Sequence, residues 1–127
     1  MTDTAAVPVN LVRASTAPAY DPPGHFDVDA RRLQGLEAGG PSGFWVGRSV
    51  YPPGARAELS RTSADTVYVV LEGDLEVGLD NQNDLEVPVL LGAGDSLFLA
   101  CGTARSVHNR TDSDAVLLVI LQPRGTA

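Results

Sequence analysis

The chain has 127 residues, one cysteine and a formal net charge of −7. A chain of this length implies one domain that folds without a disulfide or structural metal. The single cysteine, Cys101, excludes an intrachain disulfide, and the acidic balance argues against nucleic acid or an anionic membrane surface as a partner.

Residues 1–24 are rich in Pro, Ala, Thr and Ser and show no period, so they are expected to form an N-terminal arm and not a packed element. Their first fifteen residues, MTDTAAVPVNLVRAS, lack a basic segment followed by an apolar run. No secretory signal is therefore expected, and with one cysteine the expectation is a cytoplasmic protein. No apolar stretch approaches the roughly 20 residues that span a bilayer.

Residues 25–124 are expected to be a single all-β domain. FDVDARRLQGL alternates weakly, and SGFWVGRSVY is aromatic and β-branched and is ended by PPG. VYVVLEGDLEVGLD reads as two strands hinged at Glu72-Gly73-Asp74. The polar turn NQND and the segment LEVPVLLGAGD follow, then SLFLACG, ARSVHNRT and AVLLVILQP. Short strands at close spacing, punctuated by Gly, Pro and Asn/Asp, describe an antiparallel sandwich or barrel. No stretch carries a sustained helical period with caps. All nine basic residues are arginine, which removes lysine Schiff-base and lysine general-base chemistry.

Two stretches, PPGARAELSRTSADTVYVVLEGDLEV and LLGAGDSLFLACGTARSVHNRTDSDAVLLVI, resemble the two motifs of the cupin superfamily. Gly54 and Gly73 fit the ends of the first motif, and Gly94, Gly102 and Asn109 fit the second. The resemblance spans about Ser49 to Gln122 and implies a jelly-roll β-barrel. It also shows what is missing. The two histidines of the first motif fall on Ser60 and Thr62, and its glutamate falls on Thr66 with Asp65 one place away. The histidine of the second falls on Arg105. Hydroxyls are poor ligands for first-row metals and a guanidinium has no lone pair to give, so no metal and no cofactor is expected at this site.

The resemblance implies that these four positions point into the barrel. Strand alternation then adds Glu58 to the inward set of Ser60 and Thr62, Tyr68 and Val70 to that of Thr66, and Val107 and Asn109 to that of Arg105. His108 and the apolar set Val67, Val69 and Leu71 face outward. An eight-stranded barrel of this kind encloses one small ligand. Arg105 is either an internal counter-ion to Glu58 or Asp65, or a fork for a carboxylate or enolate oxygen. Glu58, His25 and Tyr68 are the candidate catalytic groups, as base, acid or base, and donor. Arg105, Ser60, Thr62, Thr66, Asn109 and Trp45 are the candidate ligand-binding residues, with Trp45 stacking on an aromatic ring. Phe44 faces opposite to Trp45.

Cupins that lack the metal set and perform acid–base chemistry are one branch of the superfamily. The resemblance therefore permits an isomerase, lyase or cyclase acting on a carbonyl- or carboxylate-bearing molecule in the barrel. A metabolite-binding sensor is a second reading. A dioxygenase holding iron through Glu58, Asp65 and His25 is a third. The apolar strand faces, and the habit of single-domain cupins of pairing through sheet faces and exchanged N-terminal strands, lead to the expectation of a homodimer.

Overall fold

The structure, a computed structural model, describes residues 8–80 and 87–123. Among these are eleven strands: β1 (Ala19–Tyr20), β2 (His25–Phe26), β3 (Asp29–Gln34), β4 (Trp45–Tyr51), β5 (Arg56–Arg61), β6 (Asp65–Glu72), β7 (Asp74–Leu79), β8 (Val89–Gly92), β9 (Ser96–Leu99), β10 (Ala104–His108) and β11 (Ala115–Gln122). The described helical residues form two 3-10 turns, Ala14–Thr16 and Leu36–Ala38. No described helix is long and apolar enough to cross a membrane. The polar turn expected at 81–84 lies outside the described residues.

All strand pairs are antiparallel and form two sheets. One sheet runs β1-β3-β4-β11-β6-β9 and the other β2-β5-β10-β7-β8. This is the jelly-roll barrel that the strand spacing and the motif resemblance imply. The hinge between β6 and β7 depends on Gly73. Its φ is +76°, and a Cβ there would lie 2.5 Å from the Asp114 carbonyl oxygen. Only glycine meets both constraints.

Alternation along each strand sends one set of side chains between the sheets. On the six-stranded sheet the inward rows follow from the register. Tyr68, Val119, Gly47 and Arg32 lie side by side on β6, β11, β4 and β3. Thr66, Leu121 and Trp45 form the next row. On the other sheet His25, Ala57, Val107 and Val77 line up across β2, β5, β10 and β7. Tyr51, Ala55, Val70, Leu75, Val77, Val107, Ala115 and Leu117 close one end of the barrel as a dry core. Burying a side chain such as Leu117 contributes about 1.5–3 kcal/mol.

The segment before residue 25, expected as an unpacked arm, is mostly exposed but is anchored at several points from Asn10 onward. The Asn10 side chain bonds Gln34 and the Ala38 carbonyl, Ala17 is buried, and β1 pairs with β3. Its composition hid this. Two-residue strands and single side-chain anchors leave no period to read.

Candidate functional site

Opposite the packed end, the sheets enclose a cavity of about 700 Å3. Its inner wall carries Tyr51, Tyr68, Leu117 and Val119, which are apolar or aromatic. Exposed residues of the 21–24 segment and of 58–63 border its mouth.

Arg105 stands at the centre. Its Nε donates to the Tyr68 hydroxyl oxygen at 2.8 Å, and its Nη1 donates to Ser60 Oγ at 2.9 Å and to the Glu58 carbonyl oxygen at 3.1 Å. No ion pair with Arg105 occurs among the described residues. Fixed oxygens of neutral groups thus hold the guanidinium in place. Because Tyr68 accepts from Arg105, its own O–H remains available as a donor. Burial pushes the Tyr68 hydroxyl pKa up, with Arg105 opposing, so the phenol keeps its proton at neutral pH.

His25 borders the same cavity. Its Nδ1 lies 3.0 Å from the Pro23 carbonyl oxygen, which only accepts. Nδ1 therefore carries the proton in the neutral ring, and Nε2 keeps its lone pair. Burial, joined by the Arg105 charge, lowers the His25 pKa. The imidazole is consequently a neutral base at physiological pH.

Glu58 also borders the cavity, but not through the alternation that placed it there. Arg105 pairs with Ser60 and Val107 with Ala57, so two steps of β10 span three of β5. This β-bulge puts Glu58 and Leu59 together opposite Ser106 and reverses the side-chain phase. Ser60 and Thr62 lie beyond it, back on the inward phase shared with Ala57. Glu58 is solvent-exposed at the mouth, where its backbone N–H donates to the Gly24 carbonyl oxygen at 2.8 Å.

Other expected site residues divide. Ser60, Thr62, Thr66 and Trp45 line the cavity. The Thr62 hydroxyl is occupied with the Ala100 carbonyl and the Thr103 N–H, and Thr66 donates to the Ala64 carbonyl. Of the three hydroxyls, Ser60 alone is tied to Arg105. Asn109 is fully buried away from the cavity. It donates to the Tyr51 and Ser113 carbonyls and accepts from Thr111, bracing the turn before β11. Asp65 accepts from the Cys101 N–H and does not border the cavity, so Glu58, Asp65 and His25 are not brought together. No group of three His, Cys, Asp or Glu suited to a metal occurs among the described residues.

The four positions at which the motif resemblance implies metal ligands do not fit a metal. A fixed cation bonded to Ser60 takes one place, and two of the hydroxyls are engaged with backbone.

Sequence reading missed Asp21, Tyr20 and Arg32, which all border the cavity. Asp21 and Tyr20 lay in the supposed arm. Arg32 did give a signal: with Ala30 it occupies the inward phase of β3, where a charge is unexpected.

Comparisons with known proteins agree with this architecture. The family model described as "Cupin domain" matches residues 47–121. The chain is 51% identical over 111 residues to β-D-galactosidase Rv1717 of Mycobacterium tuberculosis, covering 87% of this chain and 91% of that one. The polyketide cyclase RemF of Streptomyces resistomycificus superposes with a TM-score of 0.75 at 19% identity, over 91% of this chain and 80% of that one, a likeness of fold. A sugar phosphate isomerase of Silicibacter pomeroyi, 28% identical, gives a TM-score of 0.64 over 76% of this chain and 60% of that one. With the family model matching most of the barrel and the glycine framework of both motifs in place, this chain belongs to the cupin superfamily.

Proposed function

We propose that the chain binds a galactoside in the barrel cavity and hydrolyses its β-glycosidic bond. The observation that carries this reading is the 51% identity to a β-D-galactosidase over most of both chains. The cavity supports it with suitable groups. Glycoside hydrolysis needs a proton for the leaving oxygen and a second group that takes a proton from water or stabilises the sugar cation. Asp21 and Glu58 are the carboxylates among the described lining residues, and both stand at the mouth. His25 adds a neutral base beside them. Deeper in, the Tyr68 O–H and the Arg105 guanidinium are held to orient sugar hydroxyls, since neither can swing away without breaking a mutual hydrogen bond. The balanced reaction consumes one water, with the water proton ending on the departing alcohol.

The purified chain should release nitrophenol from a nitrophenyl β-D-galactoside faster than from the α-anomer or the β-glucoside. Glu58→Gln should lower kcat by on the order of 10²–10⁴-fold and leave galactose binding in place, the range for loss of one acid–base group. Galactose binding without turnover would make the chain a sensor. Neither binding nor turnover would sink the reading.

A second reading is proton transfer beside a carbonyl, as in an isomerase, lyase or cyclase. One observation favours it: the Arg105 charge has no carboxylate partner among the described residues and sits next to a protonated phenol. That pair suits an enolate oxygen.

A further inference from the structure

Arg32 is the most deeply buried charge described, at 7% exposure. It lies on the inner face of β3, directly across from Gly47. Its guanidinium packs into the corner between two rings set edge to face, with its carbon 3.9 Å from the Tyr20 ring centre and 4.1 Å from that of Trp45. Gly47 makes room for this packing. A Cβ there would come within 3.1 Å of both the Trp45 ring and the Tyr20 hydroxyl. Nε donates to Glu37 at 3.0 Å, and Glu37 is itself partly in solvent.

The opposite edge of the guanidinium is unused. Nη1 is buried and has no hydrogen-bond partner, and no hydrogen bond among the described residues uses Nη2. A buried donor left unsatisfied is costly, and such atoms call for an explanation. Arg32 also borders the cavity that holds Arg105. Tyr68, the phenol bonded to Arg105, lies in the same inward row as Arg32, three strands away. At the backbone that is about 14 Å, and two long arginine side chains shorten the span. Among the described lining residues Arg32, Arg61 and Arg105 stand against Asp21 and Glu58, three positive charges to two negative. Glu37, paired with Arg32 just outside the lining, offsets one of these positive charges through Nε and leaves the Nη edge without a compensating bond among the described residues.

We propose that the Nη edge of Arg32 is a built receptor for an oxyanion, and that the cavity takes an acidic sugar bearing a carboxylate or a phosphate in preference to a neutral one. This rests on the galactoside reading for the sugar but not for the anion. An oxyanion meeting the Nη edge end-on satisfies the orphaned donor and gains charge-assisted hydrogen bonds. Packing against both rings and the bond to Glu37 hold the guanidinium in place beforehand, so less ordering is left for binding to impose.

Calorimetric titration separates these elements. Galactose, galacturonate, galactose 6-phosphate and inorganic phosphate are titrated into the native protein, Arg32→Gln and Glu37→Gln. At least one acidic sugar should bind about tenfold or more tightly than galactose, as expected for a new charge-assisted contact. Which acidic sugar binds tighter identifies carboxylate or phosphate. The advantage should vanish in Arg32→Gln while galactose affinity holds, and should widen in Glu37→Gln, which frees the arginine of its counter-charge. If Arg32→Gln does not fold, the native protein and Glu37→Gln carry the test. Equal affinity for neutral and acidic sugars, or an advantage that survives Arg32→Gln, overturns the proposal. Arg32-dependent binding of phosphate with no sugar binding would end the galactoside reading and leave the anion receptor standing. No binding of any probe would end both.

Discussion

At the scale of single residues, Arg105 and Asn109 occupy neighbouring motif positions and do opposite things. Arg105 is held by oxygens of neutral groups, so its charge is positioned without being neutralised among the described residues. Arg105→Leu should abolish ligand binding in calorimetry while leaving a folded protein, because the replacement is apolar and the lining beside it already carries Leu and Val. Binding that survives with altered stability would make the arginine a structural counter-ion. Asn109 is instead a brace, buried with four side-chain hydrogen bonds around one turn. Asn109→Ala leaves several buried backbone groups without partners and should cost about 3 kcal/mol in urea unfolding. Ligand affinity of the folded fraction should not change.

At the scale of elements, the bulge in β5 and the short strand β2 decide what reaches the mouth of the cavity. The bulge turns Glu58 and Leu59 toward the rim, and β2 lays His25 against Ala57. Burial of the ring, with Arg105 nearby, holds the His25 pKa below 6.5. The unfolded chain therefore binds a proton at His25 more readily than the folded one. Its contribution to stability is complete above pH 6.5 and is lost as pH falls through the lower folded-state value. Unfolding free energies measured from pH 7.5 to 4.5 should show this loss, and His25→Gln should remove that part of the slope. An unchanged slope would mean that the imidazole is as solvated in the folded protein as in the unfolded chain.

At the scale of the whole molecule, the outer face of the six-stranded sheet is the surface on which we propose a second copy to pack. Val67, Val69, Leu118 and Ile120 are half-buried there, and Leu71 and Phe98 are exposed on the flanking residues of β6 and β9. This face is continuous across three paired strands and apolar, more than a small monomer ordinarily leaves in water. Light scattering at micromolar concentration should give a dimer mass, and Val67→Asp with Phe98→Asp should give a monomer that keeps its fold. A monomer for the native chain would refute the arrangement.

The sequence by itself determined the barrel and its empty ligand pattern. Strand period, turn residues and glycine spacing are local properties, and Gly54, Gly73, Gly94 and Gly102 all carry the positive φ that their turn positions demand. The motif resemblance pointed Arg105 and Ser60 into the barrel, and alternation from Thr66 added Tyr68, because β6 pairs without a bulge through that stretch; all three border the cavity. Only the tertiary structure decided the rest. The β5 bulge is a mismatch between two strands and has no signature in either, so the phase of Glu58 was reached by the wrong route. Asn109 and Thr62 look like ligand groups in a motif, but Asn109 is held by its own following turn and by Tyr51 of β4, and Thr62 by the turn at 100–103. Tyr20, Arg32 and Trp45 come from three strands and meet only when β1, β3 and β4 lie side by side, because a cation packed against two rings depends on distances across a sheet that no single stretch of chain encodes.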